Sequence, residues 1–206
     1  MNTTTKSEAT YAAILDAAVG MAAAEGIGRL SLGELSKRTG ISKSGVFSRV
    51  GSLEALQAAV LDEYDRRFSE EIFLPAVSAP RGLPRLTMMV NLWLKKVAGE
   101  TAHGACLYTA GAFEFDDAPL PHPLRGRIEA GVVRWRASIR KTVLQAMEAG
   151  HLRPDTEPEQ LVFEIYSLVI GVMHDARFLH DDGAPRRAQR AFNRLISTYR
   201  SFSDLE

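Results

Sequence analysis

The sequence predicts an all-α protein of about nine helices, and three observations lead to this prediction. Apolar residues recur at helical spacing along most of the chain, as at Ile14, Leu15, Ala18 and Met21. No stretch alternates apolar and polar residues for long enough to predict a strand. Helix-start signals of the Ser/Thr-x-x-Glu type precede several of the apolar stripes.

The predicted helix boundaries follow from capping residues, glycines and prolines. Capping boxes at Thr5-x-x-Glu8, Ser31-x-x-Glu34 and Thr156-x-x-Glu159 predict three helix starts, and Gly26, Gly40 and Gly150 predict three helix ends. After a first helix that ends before Gly26, the predicted helices cover about residues 31–40, 43–49, 52–74, 83–98, 105–115, 121–149, 157–179 and 186–202. The Pro-, Gly- and Ala-rich stretch that follows Pro75 predicts a loop.

Composition limits the class of protein. The 206 residues include 25 Lys and Arg and 25 Asp and Glu, so the net charge is zero. This excludes a protein that coats nucleic acid by bulk charge, but not one with a local basic patch. The only cysteine is Cys106, and the five histidines are scattered, which argues against a disulfide or a zinc cluster. We expect no metal and no other cofactor.

The chain shows no sign of a membrane segment. Its first ten residues lack the charged and apolar regions of a signal peptide. The longest strongly apolar stretch, Leu161 to Met173, contains Glu164 and is too short to span a bilayer. We therefore expect a cytoplasmic protein that does not bind membranes.

Residues 31–50, SLGELSKRTGISKSGVFSRV, combine two short helices with a glycine turn. Gly40 can adopt the positive φ that the turn requires, and Ser36 is small enough for the two helices to approach closely. Val46, six residues after the glycine, is expected to face back into a small core. That core is expected to contain Ile14, Ala18, Leu35, Ile41 and Val50. The spacing predicts a helix-turn-helix.

The second helix of this motif has a polar side that is expected to be exposed. Its polar residues are Lys43, Ser44, Ser48 and Arg49, and Lys37 and Arg38 lie nearby. Residues 34–50 therefore carry a local excess of positive charge in a neutral chain. Such a helix fits the major groove, where hydroxyls and helix N-termini bind phosphate and Arg49 can reach a guanine edge. Two ordinary packed helices are the alternative, but short helices rich in Gly and hydroxyl residues build poor cores.

The N-terminal stretch resembles the DNA-binding domain of the tetracycline-repressor (TetR) family. The matching residues are Ile14-Leu15-x-Ala17-Ala18, Gly26, Ser31, Leu35-Ser36, Gly40-Ile41-Ser42-Lys43, Gly51-Ser52 and Glu54-Ala55-Leu56. The resemblance implies an all-α homodimer with a helix-turn-helix domain at residues 1–51 and an effector-binding and dimerisation domain at residues 52–206. It also implies a transcriptional regulator, usually a repressor, that releases a palindromic operator when a small molecule binds.

Three positions depart from the pattern of the family. Phe47 stands where the family usually has a tyrosine whose hydroxyl touches phosphate, Val50 replaces a usual phenylalanine, and Leu53 replaces a usual phosphate-binding lysine. The first and third changes imply a weaker hold on the phosphate backbone. With Lys37, the DNA contacts implied by charge and resemblance are Ser31, Ser42, Lys43, Ser44, Phe47, Ser48 and Arg49.

The second half of the chain predicts a dimer interface. It resembles one subset of the same family through GACLYTAGAFEFDD at 104–117 and PEQLVFEIYSLVIGVMHDARFL at 158–179. The segment 157–179 is apolar on every side, so it must be buried on every side. With the last helix it predicts a four-helix interface between two copies. A helix buried within a larger monomer is the alternative. The predicted interface residues are Val162, Tyr166, Val169, Met173, Arg177, Phe192, Leu195 and Tyr199.

The remaining apolar and aromatic side chains of this half are candidates for an effector pocket. They are Leu92, Trp93, Cys106, Thr109, Phe113, Trp135, Ile139, Phe163, Tyr166, Ile170 and His174. Plain core packing is the alternative for each of them. His174-Asp175 either anchors an effector or is hydrogen-bonded across the dimer or to Arg177. The acidic cluster 114–117 indicates a capped helix end or a solvated loop rather than a metal site.

These patterns favour a ligand-responsive transcriptional regulator over an enzyme. The chain has no Gly-x-Ser-x-Gly, no His-Glu-x-x-His and no Gly-rich phosphate loop. The expected partners are double-stranded operator DNA, an unidentified small-molecule effector and a second copy of the chain. A constitutive DNA-binding or partner-binding module without a small-molecule ligand is the alternative.

Overall fold

The structure, a computed structural model, describes residues 3–99, 106–119 and 121–201, with side chains from residue 7 onward. Within these ranges the chain is helical, and its only β pairing is a bridge between Leu152 and Arg200. The all-α prediction is confirmed. The predicted Thr5-x-x-Glu8 capping box lies partly outside the described side chains.

The helices begin and end close to their predicted positions. They are α1 Thr3–Glu25, α2 Leu32–Thr39, α3 Lys43–Val50, α4 Leu53–Phe68, α5 Leu74–Ser78, α6 Leu83–Val97, α7 Leu107–Glu114, α8 Pro123–Glu148, α9 Pro158–Met173 and α10 Ala184–Tyr199. A 3₁₀ turn, Ile27–Arg29, follows α1, and π-helical turns, Ser69–Phe73 and His174–Phe178, follow α4 and α9. No helix in the described part of the chain is long and apolar enough to cross a membrane.

The predicted end of the fourth helix at residue 74 is wrong. After α4 the helical path continues through a π-helical turn and α5 to Ser78. Pro75 does not stop it, because it lies in the first turn of α5, where backbone N–H groups have no intrahelical partner to lose. The next helix begins only after Gly82, which adopts a φ of +92°.

The predicted capping box at Thr156-x-x-Glu159 does not form. Pro158 is the first residue of α9, so that Glu157 takes the capping position. The Thr156 hydroxyl is buried with no hydrogen-bond partner among the described residues, and the Glu159 carboxylate pairs with Arg140 instead. The missing N–H of the proline shifts the helix start by one residue relative to the sequence pattern.

The chain folds into two compact units, and the first of them is discontinuous in sequence. It comprises Met1–Arg67 and Cys106–Glu129, so α7 and the start of α8 belong with α1 to α4. Its core is built from Ile14, Ala18, Ile27, Leu35, Val46, Leu56, Val60, Leu61 and Ile128, all of which are buried. The division of function at residue 51 stays a prediction.

The second unit comprises Phe68–Ala105 and Ala130–Glu206. In it α6 packs against α5, α9 and α10. Its core contains Leu86, Val90, Trp93, Ile139, Val143, Leu161, Ile165, Val169 and Phe192. Lys96 is also buried there, only 1% exposed, and its Nζ lies 2.6 Å from Oε2 of Glu71. A buried ammonium requires such a partner, because the desolvated charge is otherwise strongly unfavourable.

A network of charged side chains joins α4 to α1 in the first unit. Oε1 of Glu63 lies 2.7 Å from nitrogens of both Arg66 and Arg67, and Arg67 reaches Oδ1 of Asp16 at 2.8 Å. The hydrogen bond from Arg66 is the main cause that lowers the pKa of Glu63 from 4.5 to about 2; burial opposes it, and Arg67 assists. The ionised form of Glu63 is therefore stabilised by folding.

We expect the stability of the first unit to depend on pH through Glu63. Because the pKa is lower in the folded than in the unfolded chain, the stabilisation is complete above a pH of about 5 and is lost as pH falls towards 2. Glu63→Gln should lower the unfolding free energy by about 2 kcal/mol at pH 7, and by much less at pH 3.

Denaturant unfolding of both proteins at several pH values measures this difference. Glu129→Gln is the control, since Glu129 is exposed and its nitrogen–oxygen distance to Arg125 is 3.6 Å, a geometry that contributes little. A Glu63→Gln effect that is the same at pH 3 and pH 7 would contradict the prediction.

Candidate nucleic-acid interface and effector-binding region

Two serine caps and one glycine define the geometry of the helix-turn-helix. The Ser31 Oγ accepts a hydrogen bond from the backbone N–H of Glu34 at 3.1 Å, which caps α2. The Ser42 Oγ accepts one from Gly45 N–H at 3.1 Å, which caps α3. Between the helices Gly40 has a φ of +69°, the left-handed conformation that the turn requires.

The orientation of α3 is fixed by its apolar side. Val46 and Val50 are buried, as are Leu35 of α2 and Ile14 of α1, and α3 contacts both of those helices. Burying a valine side chain stabilises the fold by about 1.5–3 kcal/mol. Gly45 allows a tight start of α3, because a Cβ there would lie 3.0 Å from both Ile41 Cγ2 and Ser42 Oγ. The predicted small core is present.

The opposite side of α3 is exposed and mainly polar. Its exposed residues are Ser42, Lys43, Ser44, Phe47 and Ser48. The hydroxyls of Ser42 and Ser44 lie 3.2 Å apart, and the hydroxyl of Ser48 donates to Gly45 O. Phe47 is 54% exposed, an unusual position for a large aromatic side chain. An eight-residue helix with this exposed face and a buried opposite face can enter a DNA groove.

The cations near α3 differ in their freedom to contact a ligand. Lys37 pairs with Glu34 at 3.4 Å, and Arg38 is held by Glu25 and Glu34. Lys43 is exposed and forms no ion pair with any described residue. Arg49 is half-buried, and its Nη1 donates to Gly45 O at 3.0 Å. The guanidinium of Arg49 thus lies along its own helix in the free protein.

Four aromatic side chains form a cluster in the second unit, which we call the aromatic cluster. It consists of Phe68, Trp93, Trp135 and Tyr166. The ring centroids of Trp93 lie 5.4 Å from those of Trp135 and 5.0 Å from those of Tyr166, and Phe68 lies 4.7 Å from Trp135, all in edge-to-face geometry. The guanidinium of Arg136 lies 5.1 Å from the Tyr166 centroid. Three of these residues were predicted as pocket candidates, and Phe68 was missed.

The aromatic cluster contains two buried hydrogen-bond donors without partners. The indole Nε1 atoms of Trp93 and Trp135 are both buried and form no hydrogen bond among the described residues. Leaving a buried polar group unpaired costs about 1–3 kcal/mol. Such groups in a native structure call for an explanation, such as a bound water or ligand. The cluster can therefore donate to an acceptor that enters it.

Lys96 was missed by the sequence analysis, although it follows Trp93 by three positions on α6. The apolar stripe through Leu86, Met89, Val90 and Trp93 continues to position 96 or 97 at helical spacing. A lysine on that stripe is the signal that was overlooked. Its partner Glu71 lies in the π-helical turn after α4, and such turns are frequent at functional sites.

The structure does not bring all predicted pocket residues together. Cys106, Thr109 and Phe113 belong to the first unit, and the others belong to the second. In the first unit the Thr109 hydroxyl donates to Cys106 Sγ at 3.1 Å, and both are buried. In the second unit Ile139 is buried, and Leu92 is half-buried.

Four predicted pocket residues lie at the surface. They are Phe113, Phe163, Ile170 and His174. His174 pairs with the adjacent Asp175, with 3.0 Å between Nδ1 and Oδ1, and does not anchor anything within the unit. An exposed side chain cannot line an enclosed pocket within its own unit, so the prediction of a single pocket is revised to the buried members around the aromatic cluster.

The predicted dimer residues are also revised. Val162, Tyr166, Val169 and Phe192 are buried within the second unit, because α9 and α10 pack against each other and against α6. They have little surface left to bury against a second copy. Met173, Arg177, Leu195 and Tyr199 are half-buried and retain some; the Tyr199 hydroxyl donates to Glu164 at 2.7 Å.

The exposed side of α9 and α10 carries a groove of about 720 Å³. Small side chains line it, among them Ser167, Gly171, Ala188 and Ala191, together with Arg187, Arg190 and Arg194. Phe163 and Ile170 of α9 are exposed, at 58% and 36%. This surface, which we call the α9–α10 face, allows close approach of another helix.

Metal binding finds no support in the described part of the chain. No group of three or more His, Cys, Asp or Glu side chains in it could hold a metal ion. Glu114, in the acidic cluster 114–117, uses its carboxylate for hydrogen bonds to the backbone of Ile27 and Gly28. The cluster therefore includes a residue with a structural contact that the sequence did not predict.

Comparison with known proteins bears on these features. Residues 82–192 match the family model described as "Tetracyclin repressor-like, C-terminal domain". No curated protein matches the chain significantly. Among solved structures, 56 chains match.

Three of the similar structures illustrate the likeness. A TetR-family transcriptional regulator from Cytophaga hutchinsonii is 19% identical, with a TM-score of 0.75 over 95% of this chain and 96% of that one. A TetR transcriptional regulator from Chloroflexus aurantiacus is 22% identical, with a TM-score of 0.77 over 93% and 94%. AibR, in complex with isovaleryl coenzyme A and operator DNA, is 17% identical, with a TM-score of 0.67 over 89% and 95%.

The structural likeness establishes the fold, an N-terminal helix-turn-helix followed by a helical C-terminal region. The family model spans more than half of the chain. With the helix-turn-helix geometry already described, these findings agree on one conclusion: the chain belongs to the tetracycline-repressor family and is a transcriptional regulator rather than an enzyme.

Proposed function

We propose that this chain is a ligand-responsive repressor that binds palindromic operator DNA as a homodimer and releases it when a small-molecule effector binds. In this proposal residues 1–51 bind DNA, and residues 52–206 bind the effector and form the dimer. The protein acts in the cytoplasm, where the operator is. The observation that carries the proposal is the exposed polar face of α3, whose opposite side is buried in the core of the first unit.

The proposed DNA contacts divide into backbone contacts and one base contact. Those to the phosphate backbone involve Ser31, Lys37, Ser42, Lys43, Ser44, Phe47 and Ser48. Arg49 is proposed to contact a guanine edge, for which it must leave Gly45 O. That hydrogen bond contributes about 1 kcal/mol, whereas a bidentate arginine–guanine contact is worth about 1–3 kcal/mol. The exchange is therefore favourable on DNA.

We expect Lys43 and Arg49 to contribute differently to DNA binding. Lys43→Ala should weaken binding about equally for all sequences and lower the salt slope by about 1, because a phosphate contact is lost. Arg49→Ala should relax the preference at one base pair by about 1–3 kcal/mol. Anisotropy measurements at several salt concentrations, on a duplex selected from a random library by the full-length protein, separate the two effects.

Lys95→Ala is the control for these variants, since Lys95 is an exposed lysine on α6 in the second unit. All variants should elute at the same size as the wild type. If Lys43→Ala and Arg49→Ala both bind the selected duplex with unchanged affinity, the assignment of the DNA-binding face is wrong.

The proposed dimer uses the α9–α10 face. Phe163 and Ile170 offer exposed apolar area there, and the small residues of the groove permit close helix packing. Arginines 187, 190 and 194 of α10 line the groove together with Asp175, so that a two-fold arrangement can oppose unlike charges. A dimer also supplies the two recognition helices, about 34 Å apart, that a palindrome requires.

We expect Phe163→Glu to convert the dimer into a monomer at micromolar concentration. The new carboxylate would be desolvated in the interface without a partner, which is strongly unfavourable. Sedimentation measures the mass, and the palindrome should lose most of its affinity in parallel. Val133→Glu is the matched control, because Val133 on α8 is 59% exposed, close to the 58% of Phe163. A Phe163→Glu protein that remains dimeric would contradict the proposed interface.

The proposed effector site is the aromatic cluster. Its two unpartnered indole donors suit an effector with hydrogen-bond acceptor oxygens and an apolar body. The positive charge of Lys96 is already balanced by Glu71, so an anionic group is not required to satisfy it. The complex of AibR with both isovaleryl coenzyme A and operator DNA supports the idea that this fold can bind both kinds of partner.

Release of DNA requires only that the effector prefer a form of the dimer whose two helix-turn-helix domains are spaced wrongly for the operator. A coupling of about 1–3 kcal/mol changes operator affinity by about 5–150-fold. An effector with equal affinity for both forms would have no effect.

We expect effector binding to change the tryptophan fluorescence of the protein. The chain has 2 Trp, Trp93 and Trp135, and both lie in the aromatic cluster. A compound panel that includes isovaleryl coenzyme A is titrated against the protein with and without bound duplex. Compounds that release DNA should shift or quench the emission, and Trp93→Phe should weaken their binding but not DNA binding, because it removes one donor.

A compound that releases DNA without changing the emission would place the effector outside the aromatic cluster. Indifference of both DNA binding and emission across a broad panel would favour a constitutive DNA-binding module instead.

A further inference from the structure

The 3₁₀ turn Ile27–Arg29 is held by a side chain that lies far away in the sequence. Glu114, the last residue of α7, accepts hydrogen bonds from Ile27 N–H at 3.1 Å through Oε2 and from Gly28 N–H at 2.9 Å through Oε1. The first N–H groups of any helical turn lack partners within the turn. A single carboxylate thus satisfies two adjacent backbone donors.

Two glycines permit this contact. A Cβ at position 26 would lie 2.8 Å from Oε1 of Glu114, and a Cβ at position 28 would lie 2.7 Å from the same atom. Both distances are shorter than any normal contact with a side-chain carbon. Gly26 has a second reason to be glycine, since its φ is +103°, but Gly28 does not adopt such a conformation. At Gly28 the approach of the carboxylate is therefore the main steric constraint.

The turn also contacts α4. Gln57 donates from its side-chain amide to Ile27 O at 3.2 Å. The donors of the turn are thus held by α7, and one of its acceptors is held by α4. Two residues after the turn comes Ser31, the residue that caps α2. The position of the turn consequently determines where the chain enters the helix-turn-helix.

We propose that Glu114 is a positioning residue for DNA binding: its carboxylate fixes the turn Ile27–Arg29 on α7, and Gly28 is a glycine because that carboxylate must reach the turn. The inference rests on the proposed function. Glu114 acts through the turn and does not itself contact DNA.

The expected effect of Glu114 on DNA binding differs from that of a phosphate contact. Without the carboxylate the turn samples several positions, and only a fraction of the molecules presents α2 and α3 correctly. The apparent affinity falls by that fraction. The number of released counterions is unchanged, because no phosphate contact is lost, so the salt slope stays the same. Water can replace the exposed carboxylate at the two N–H groups, so the fold remains intact.

The first experiment compares Glu114→Ala with the wild type on the duplex selected by the wild-type protein. We expect the Kd to rise by about tenfold, with the salt slope and the preferred sequence unchanged. Asp117→Ala is the control, since it removes the same charge from an exposed residue of the same acidic cluster. Glu114→Gln keeps the shape and one acceptor oxygen, and is expected to lie between the two. It also keeps the comparison possible if Glu114→Ala folds poorly.

The second experiment is a double-mutant cycle with Gly28. Gly28→Ala should displace the carboxylate and weaken DNA binding about as much as Glu114→Ala does. The double variant should bind no worse than Glu114→Ala alone, because both changes remove the same contact. In Gly26→Ala the positive φ adds a backbone cost that Glu114→Ala cannot relieve, so this pair should not show the same rescue.

The outcomes separate this inference from the proposed function. A wild-type protein that selects no duplex overturns both. A selected duplex that Glu114→Ala binds with wild-type affinity overturns the inference alone, and so does additivity of the Gly28→Ala and Glu114→Ala effects. A fall in salt slope for Glu114→Ala, as expected for Lys43→Ala, would also overturn it, because the residue would then act on the phosphates rather than on the turn.

Discussion

The burial of Val46 and Val50 against α1 and α2 is the constraint on which the proposed DNA-binding face depends. An eight-residue helix is too short to be stable by itself, so α3 exists because its apolar side is packed and its first turn is capped by Ser42. Packing one side also decides which residues remain outside. The exposed position of Lys43 and Phe47 is a consequence of where the two valines lie.

The helix-turn-helix is in turn supported by contacts that come from distant parts of the chain. The turn before α2 is bonded to Glu114 of α7 and to Gln57 of α4, and α4 is joined to α1 through Arg67, Glu63 and Asp16. The first unit is therefore more than three helices with a glycine turn. The helices that follow the helix-turn-helix in sequence supply side chains that hold it in place.

The second unit shows a different balance between packing and polarity. Most of α9 is covered by α6 and α10 within a single copy, which explains why its apolar residues extend around the helix without all of them facing a partner. Within this core the indole N–H groups of Trp93 and Trp135 lack acceptors, while the Lys96 ammonium has one in Glu71. A core with unsatisfied donors is suited to accept a polar atom from outside.

The sequence alone determined the features that depend on neighbouring residues: the all-α class, most helix bounds, the Ser31 and Ser42 caps and the turn at Gly40. These are short-range effects of helical spacing, capping and backbone conformation, and they can be recognised within a few residues. Only the tertiary structure decided which apolar faces are covered, as for Val162 and Phe163, and which distant groups meet, as for Glu114 and Gly28. The physical reason is that burial and long-range hydrogen bonds depend on how helices pack, and helical periodicity does not specify the partner of a face.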